Sequence, residues 1–112
     1  MDFSKILRHI PNFPEPGIEF IDITPVLADG EAFHALIEAM AAKISDLNID
    51  IIIGAESRGF IMGAPLAYAL GVGFIPVRKP GKLPFHTIST NYELEYGKNT
   101  LEMHTDAISN GQ

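Results

Sequence analysis

Ile51-Ile52-Ile53-Gly54-Ala55-Glu56-Ser57-Arg58-Gly59-Phe60 is the stretch that decides the fold class. Three consecutive β-branched residues ending at a glycine read as a strand buried on both sides, in the manner of a central parallel strand. The short loop of residues 55–59 leads into an apolar stretch from Phe60 to Leu70. There Ile61, Met62, Leu66, Ala69 and Leu70 suggest a helix, and Gly71 is placed to close it. Pro65 lies inside that stretch and predicts a bend or the true start of the helix. Phe74 to Val77 reads as a second short strand. A strand, a helix and a strand in succession predict two parallel strands joined by a right-handed crossover. The expected class is α/β, with a central, mainly parallel sheet flanked by helices.

Working outward toward the N-terminus, Asp29 is a plausible N-cap, and Phe33, Leu36, Ile37, Met40, Ile44 and Leu47 follow it at spacings of three and four. That periodicity predicts a scaffold helix with one buried face. Phe3, Ile6, Leu7 and Ile10 also follow helical spacing, so an opening helix is expected to stop at Pro11, followed by a stiff Pro-rich loop over residues 11–17. Toward the C-terminus, residues 79–86 hold two prolines and a glycine and predict an exposed, mobile loop. Thr87 to Thr90, Tyr92 to Tyr96 and Thr100 to His104 are candidate strands, the last two joined by a turn at Gly97-Lys98-Asn99. Asn110-Gly111 is a turn signal followed by one residue, Gln112, which suggests a chain that has been cut. No repeat, low-complexity segment or linker divides residues 1–112, so one domain is expected.

Composition excludes several classes. The chain has 112 residues, 46% hydrophobic and 20% charged, within the range of globular proteins. It has no cysteine, which removes disulfide frameworks, thiolate zinc sites and cysteine nucleophiles. No apolar run approaches the ~20 residues of a membrane span, and Met1-Asp-Phe-Ser-Lys5 lacks the layout of a secretory signal. A cytoplasmic protein with no membrane partner is expected. The net charge of −6 argues against general nucleic-acid binding.

The positive charge that exists is concentrated. Arg78, Lys79 and Lys82 fall close together, and Arg58 sits within the Gly-rich loop. In open parallel α/β sheets, ligands bind beyond the carboxyl ends of the strands, which is where both segments are expected to lie side by side. A helix starting near Gly59 would aim unpaired amides at that edge, and Arg58 would add a fork for phosphate oxygens. The plainer alternative is a tight turn at Gly54 and Gly59 with Arg58 as surface charge, and a solvated basic turn at 78–82. A Walker pattern is absent, and Gly71-Val-Gly73 precedes a strand instead of following one, so neither nucleoside triphosphate hydrolysis nor dinucleotide binding is supported. Glu93 and Glu95 would share one strand face, either for acid/base work or simply as solvating charge. His9, His34, His86 and His104 show no metal-ligand spacing; His86 alone falls in an expected functional loop.

Four blocks together carry a resemblance: Phe13-Pro-Glu-Pro-Gly-Ile-Glu-Phe-Ile-Asp-Ile-Thr24, Glu56-Ser-Arg-Gly-Phe60, Val77-Arg-Lys-Pro-Gly-Lys-Leu-Pro84 and Tyr92-Glu-Leu-Glu-Tyr-Gly97. In this order and spacing they resemble the adenine phosphoribosyltransferases, of the type I phosphoribosyltransferase family, over essentially the whole chain. The Pro-rich opening block points to the adenine branch. The resemblance implies transfer of phosphoribosyl from phosphoribosyl pyrophosphate to adenine, giving AMP and pyrophosphate with magnesium bound to the substrate, in a cytoplasmic homodimer. No protein metal ligand is implied.

Carried over residue by residue, the backbone of Glu19 and Ile21 would read the adenine edge and Phe20 would stack on the base, within an adenine-recognition segment at 1–28. A core aromatic is the alternative for Phe20. Ser57 and Arg58 would bind pyrophosphate, with a peptide between Glu56 and Ser57 that is often cis in this family. Arg78, Lys79 and Lys82 would complete the clamp, and Glu95 and Tyr96 would be catalytic residues on a mobile flap at 79–97. Full-length members continue beyond the position of Gln112 into a strand, two adjacent acids and a Gly-Thr-rich loop for the 5-phosphate. By that resemblance this chain lacks the C-terminal part of the fold, and independent activity would require a second chain. The alternatives are a non-catalytic adenine- and pyrophosphate-binding module and a dimerisation fragment whose exposed sheet edge invites pairing.

Overall fold

A computed structural model of the chain describes residues 1–94 and 97–112. Residues 1–42 and 43–112 form two compact units. In the first, Asp2 accepts from the amide of Ser4 at 3.1 Å and starts a single 3-10 turn, Phe3–Lys5. The chain then extends into β1 (Arg8–Pro11), antiparallel to β2 (Glu19–Asp22). The expected opening helix is therefore absent. Its spacing was that of a helix, but pairing with β2 claims Arg8 to Pro11, a long-range contact that local periodicity does not contain. The register sets the half-buried Ile10 opposite the half-buried Phe20. Residues 12–18 close the hairpin, with Phe13 N–H donating to Ile18 O at 3.1 Å and a cis Phe13–Pro14 peptide.

Asp22 ends β2 and begins the next element. Its carboxylate accepts from the amide of Thr24 at 2.9 Å, from Thr24 Oγ1 at 2.8 Å and from Arg8 Nη1 at 3.0 Å. The Thr24 amide first, then its hydroxyl and Arg8, hold the Asp22 carboxyl below its ordinary range. The short helix α1 (Thr24–Ala28) follows, and then α2 (Gly30–Ile44). As expected, Asp29 caps α2, accepting from the amides of Glu31 at 3.0 Å and Ala32 at 3.2 Å. Leu47 lies past the end of α2 and is exposed, so the apolar periodicity overran the helix. Val26, Ala32 and Ile37 are buried.

The second unit contains the strand, helix and strand unit expected from the sequence: β3 (Ile51–Ala55), α3 (Arg58–Leu70) and β4 (Gly73–Val77), with β3 and β4 parallel. Gly71 closes α3 at φ 71°, its amide reaching the carbonyls of Ala67 and Tyr68. Close packing ties the unit together. A Cβ on Gly54 would lie 2.6 Å from the carbonyl oxygen of Gly59 and 2.9 Å from Phe74 Cε2, and one on Gly63 would lie 2.6 Å from the same ring carbon. The glycines thus let strand, helix start and ring meet. Leu66, Ala67 and Ile75 form the buried centre. Ile53 is 47% exposed, so β3 is not buried on both sides. Among the described residues it hydrogen-bonds along one edge, to β4.

An antiparallel hairpin completes this unit, β5 (Thr87–Leu94) with β6 (Gly97–His104), from Thr87 opposite His104 to Leu94 opposite Gly97. The first two candidate strands of this region are a single strand as far as Leu94. Lys98 and Asn99 are not a turn but ladder residues, facing Glu93 and Tyr92, because pairing in register overrides their turn propensity. The hairpin is bound to the end of β4 by a reciprocal pair, Arg78 N–H to Glu102 O at 2.9 Å and Glu102 N–H to Arg78 O at 2.7 Å. No described helix is long and apolar enough to cross a membrane.

Candidate active site

The parallel pairing of β3 and β4 brings their carboxyl ends, and the loops that leave them, to one edge of the second unit. The amide of Glu56 donates to Val77 O at 2.9 Å and extends the ladder one step past Ala55. The Glu56–Ser57 peptide is cis, as the resemblance implied. Ser57 then occupies the N-cap of α3 without a side-chain capping bond, and Arg58 is the first helical residue. Both are exposed. Arg58 forms no ion pair or side-chain hydrogen bond with another described residue, and the Ser57 side chain does not cap the first amides of α3.

Across from them, the 78–82 loop is gathered on one carboxylate. Glu56 Oε1 accepts from the amide of Lys79 at 2.7 Å and from Arg78 Nε at 3.3 Å, while Oε2 accepts from Lys82 Nζ at 2.8 Å. The Glu56 side chain is only 8% exposed. The Lys82 ammonium and the Lys79 amide, followed by the Arg78 charge, lower its pKa from 4.5 to about 2. Arg78 engages Glu56 through Nε and sits 5.8 Å over the ring of Phe60, so its terminal nitrogens lie outside that contact. A second carboxylate steadies the far end of the loop, since Glu102 Oε1 accepts from the amide of Gly81 at 3.0 Å. The structure therefore brings Ser57, Arg58, Arg78, Lys79 and Lys82 to one edge. That arrangement suits a polyanion with several phosphate oxygens.

The predicted adenine residues lie in the first unit, on β2. Phe20 is half-buried and meets Phe13 edge to face, with ring centroids 5.2 Å apart. The Glu19 carboxylate pairs with His9 Nδ1 at 2.8 Å, a contact that spacing alone did not reveal. Beside Glu19, a cavity of about 250 Å³ is lined by Pro11, Asn12, Gly17 and Ile18. Ile21 is exposed. Glu95 and Tyr96, the expected catalytic pair, lie outside the described residues.

No family model matches the chain. The adenine phosphoribosyltransferase of Desulfitobacterium hafniense (strain Y51) is 57% identical over 112 residues, which is all of this chain and 65% of that protein. The solved adenine phosphoribosyltransferase of Thermoanaerobacter pseudethanolicus superposes with a TM-score of 0.92 at 55% identity, over 98% of this chain and 64% of its own. The chain belongs to the adenine phosphoribosyltransferase family. It spans about two thirds of the length of these relatives. The Saccharomyces cerevisiae adenine phosphoribosyltransferase, solved with an imino-altritol bisphosphate and adenine, aligns at a TM-score of 0.86 and 44% identity over 95% of this chain and 62% of its own. The α/β fold expected from residues 51–77 is thus that of the adenine phosphoribosyltransferases.

One residue of this edge had no role assigned from the sequence. Glu56 stood inside a recognised block without a role, yet it meets more of the basic loop than any other described side chain. A signal was present: an acid directly after an apolar strand, where its side chain can be covered, requires partners, and Arg78, Lys79 and Lys82 follow the next strand.

Proposed function

We propose that this chain carries the adenine and pyrophosphate recognition of an enzyme that transfers phosphoribosyl from phosphoribosyl pyrophosphate to adenine, releasing AMP and pyrophosphate in purine salvage. One observation carries the reading: parallel pairing sets the 56–59 and 78–82 loops side by side, with Arg58, Arg78, Lys79 and Lys82 on one edge. In the reaction a bond forms from an adenine ring nitrogen to the anomeric carbon as the bond from that carbon to pyrophosphate breaks. Positive charge develops on the ribose and negative charge on the leaving group, and fixed cations stabilise the latter.

The donor set at this edge, guanidinium, ammonium and amides, fits phosphate oxygens. Magnesium would arrive bound to the pyrophosphate donor and supply further charge neutralisation there. The adenine segment, residues 1–28, would read the base edge through the backbone of Glu19 and Ile21 and stack it on Phe20. A flap at 79–97 would close over the substrates and exclude the water that otherwise hydrolyses the donor. Glu95 would take the proton that adenine loses, with Tyr96 beside it. Family membership supports a cytoplasmic homodimer as the working form.

The test is AMP formation from adenine, phosphoribosyl pyrophosphate and magnesium by the purified chain, with adenine and pyrophosphate binding followed by calorimetry. AMP formation supports the transferase reading. Binding of both ligands without AMP favours the second reading, a recognition module without turnover. Arg58→Ala is expected to weaken pyrophosphate binding by ~1.5–3 kcal/mol, the scale of a hydrogen bond to a charged group; an unchanged affinity removes Arg58 from the site.

A further inference from the structure

Glu102 holds the 78–82 loop through its backbone pair with Arg78 and through the Gly81 amide, but the stretch between has little of its own to hold it. It contains Pro80 and Gly81, the latter at φ 82°, and Lys79 to Lys82 are exposed. It packs no side chain into the buried centre of the unit. Its cations would repel one another if left unpaired, and its backbone amides need acceptors. Glu56 answers both needs from a fixed place. Its backbone is hydrogen-bonded to Val77, its side chain is almost fully covered, and its two oxygens reach the Lys79 amide, Arg78 Nε and Lys82 Nζ. The residue that opens the Ser57–Arg58 turn therefore also carries the loop from the neighbouring strand.

We propose that Glu56 is a positioning residue that holds the 78–82 loop in its anion-receiving form. The proposal rests on reading this edge as a pyrophosphate site. Glu56 touches no substrate in this scheme. It sets Arg78 and Lys82 beside Arg58 before the ligand arrives, so that binding does not have to order a loose cationic loop. Its negative charge also offsets mutual repulsion among the cations. A carboxylate so close to a polyanion site would otherwise be expected to weaken binding, and the two views predict opposite signs.

The experiment is calorimetric titration of the full 112-residue chain with magnesium pyrophosphate, together with amide hydrogen exchange. Glu56→Gln keeps a neutral acceptor for the Lys79 amide but loses the ion pair with Lys82. It should raise the pyrophosphate Kd about tenfold, in keeping with loss of a charge-assisted contact. Exchange at Lys79, whose amide donates to Glu56, should quicken while β3 amides keep their protection, which a general loss of folding would not produce. Glu56→Asp, which retains charge but is too short to reach both donors, should lie between the two; it also serves if the Gln variant does not fold. An unchanged or tighter Kd in both variants overturns the proposal alone. Failure of the unaltered chain to bind pyrophosphate overturns the reading of the site, and the proposal with it.

Discussion

The two loops at the carboxyl ends of β3 and β4 meet at one edge but are held by different forces. The loop after β3 is fixed by steric fit: Gly54, Gly59 and the Phe74 ring approach so closely that no Cβ has room at Gly54. The loop after β4 is fixed by acceptors, Glu56 on Arg78, Lys79 and Lys82, and Glu102 on Gly81. Packing of the first kind is insensitive to salt and pH. Charge-assisted bonds of the second kind respond to both. The site thus joins a rigid half to an adjustable half.

Steric fit at Gly54 leaves the least tolerance for change. Gly54→Ala should destabilise the chain by ~2–3 kcal/mol through overpacking against backbone and ring, read as a drop in the midpoint of thermal or denaturant unfolding. A neutral result would mean that strand and helix start can separate without cost.

Acid tests the adjustable half. Glu56 has its folded pKa lowered from 4.5 to about 2, so its contribution is fully present above about pH 4.5 and fades as pH falls toward 2. An NMR titration of the Glu56 carboxyl carbon should show a midpoint well below 4.5, with no change in loop order between pH 6 and 8 in the neutral range where carboxylates stay ionised. A midpoint near 4.5 would mean that the cations do not dwell on it.

The two longer helices start differently. Asp29 satisfies the first amides of α2, so Asp29→Ala should cost about 1 kcal/mol in stability. Ser57 makes no such bond at α3. Ser57→Ala should therefore leave the free energy of unfolding within ~0.5 kcal/mol of the parent, the range of neutral surface changes. A large loss would show that the Ser57 hydroxyl caps the helix in solution, leaving fewer amides for a ligand.

Much of the α/β unit was legible because it is local. The Ile51-Ile52-Ile53 run, the Gly71 helix stop and the Phe74–Val77 strand each declare themselves within a few residues, and a short crossover leaves parallel pairing as the natural solution. The placement of the basic residues at one edge was legible for the same reason, since topology sets whatever follows a parallel strand there. Elsewhere local signals misled. Phe3 to Ile10 carried helical spacing but became a turn and a strand, because β2 lies within reach and was itself hidden in the short run Glu19–Asp22. Lys98 and Asn99 carried turn propensity but were absorbed into a ladder eight residues long.

By itself, then, the sequence determined the strand, helix and strand order, the placement of the cations after β3 and β4, and the cap of α2, all of which follow from neighbours along the chain. Only the tertiary structure decided the β1–β2 and β5–β6 registers and gave Glu56 its role. Those depend on groups brought together from distant positions. A carboxylate acquires its partners, and its depressed pKa, only once two parallel strands have set its loop beside theirs.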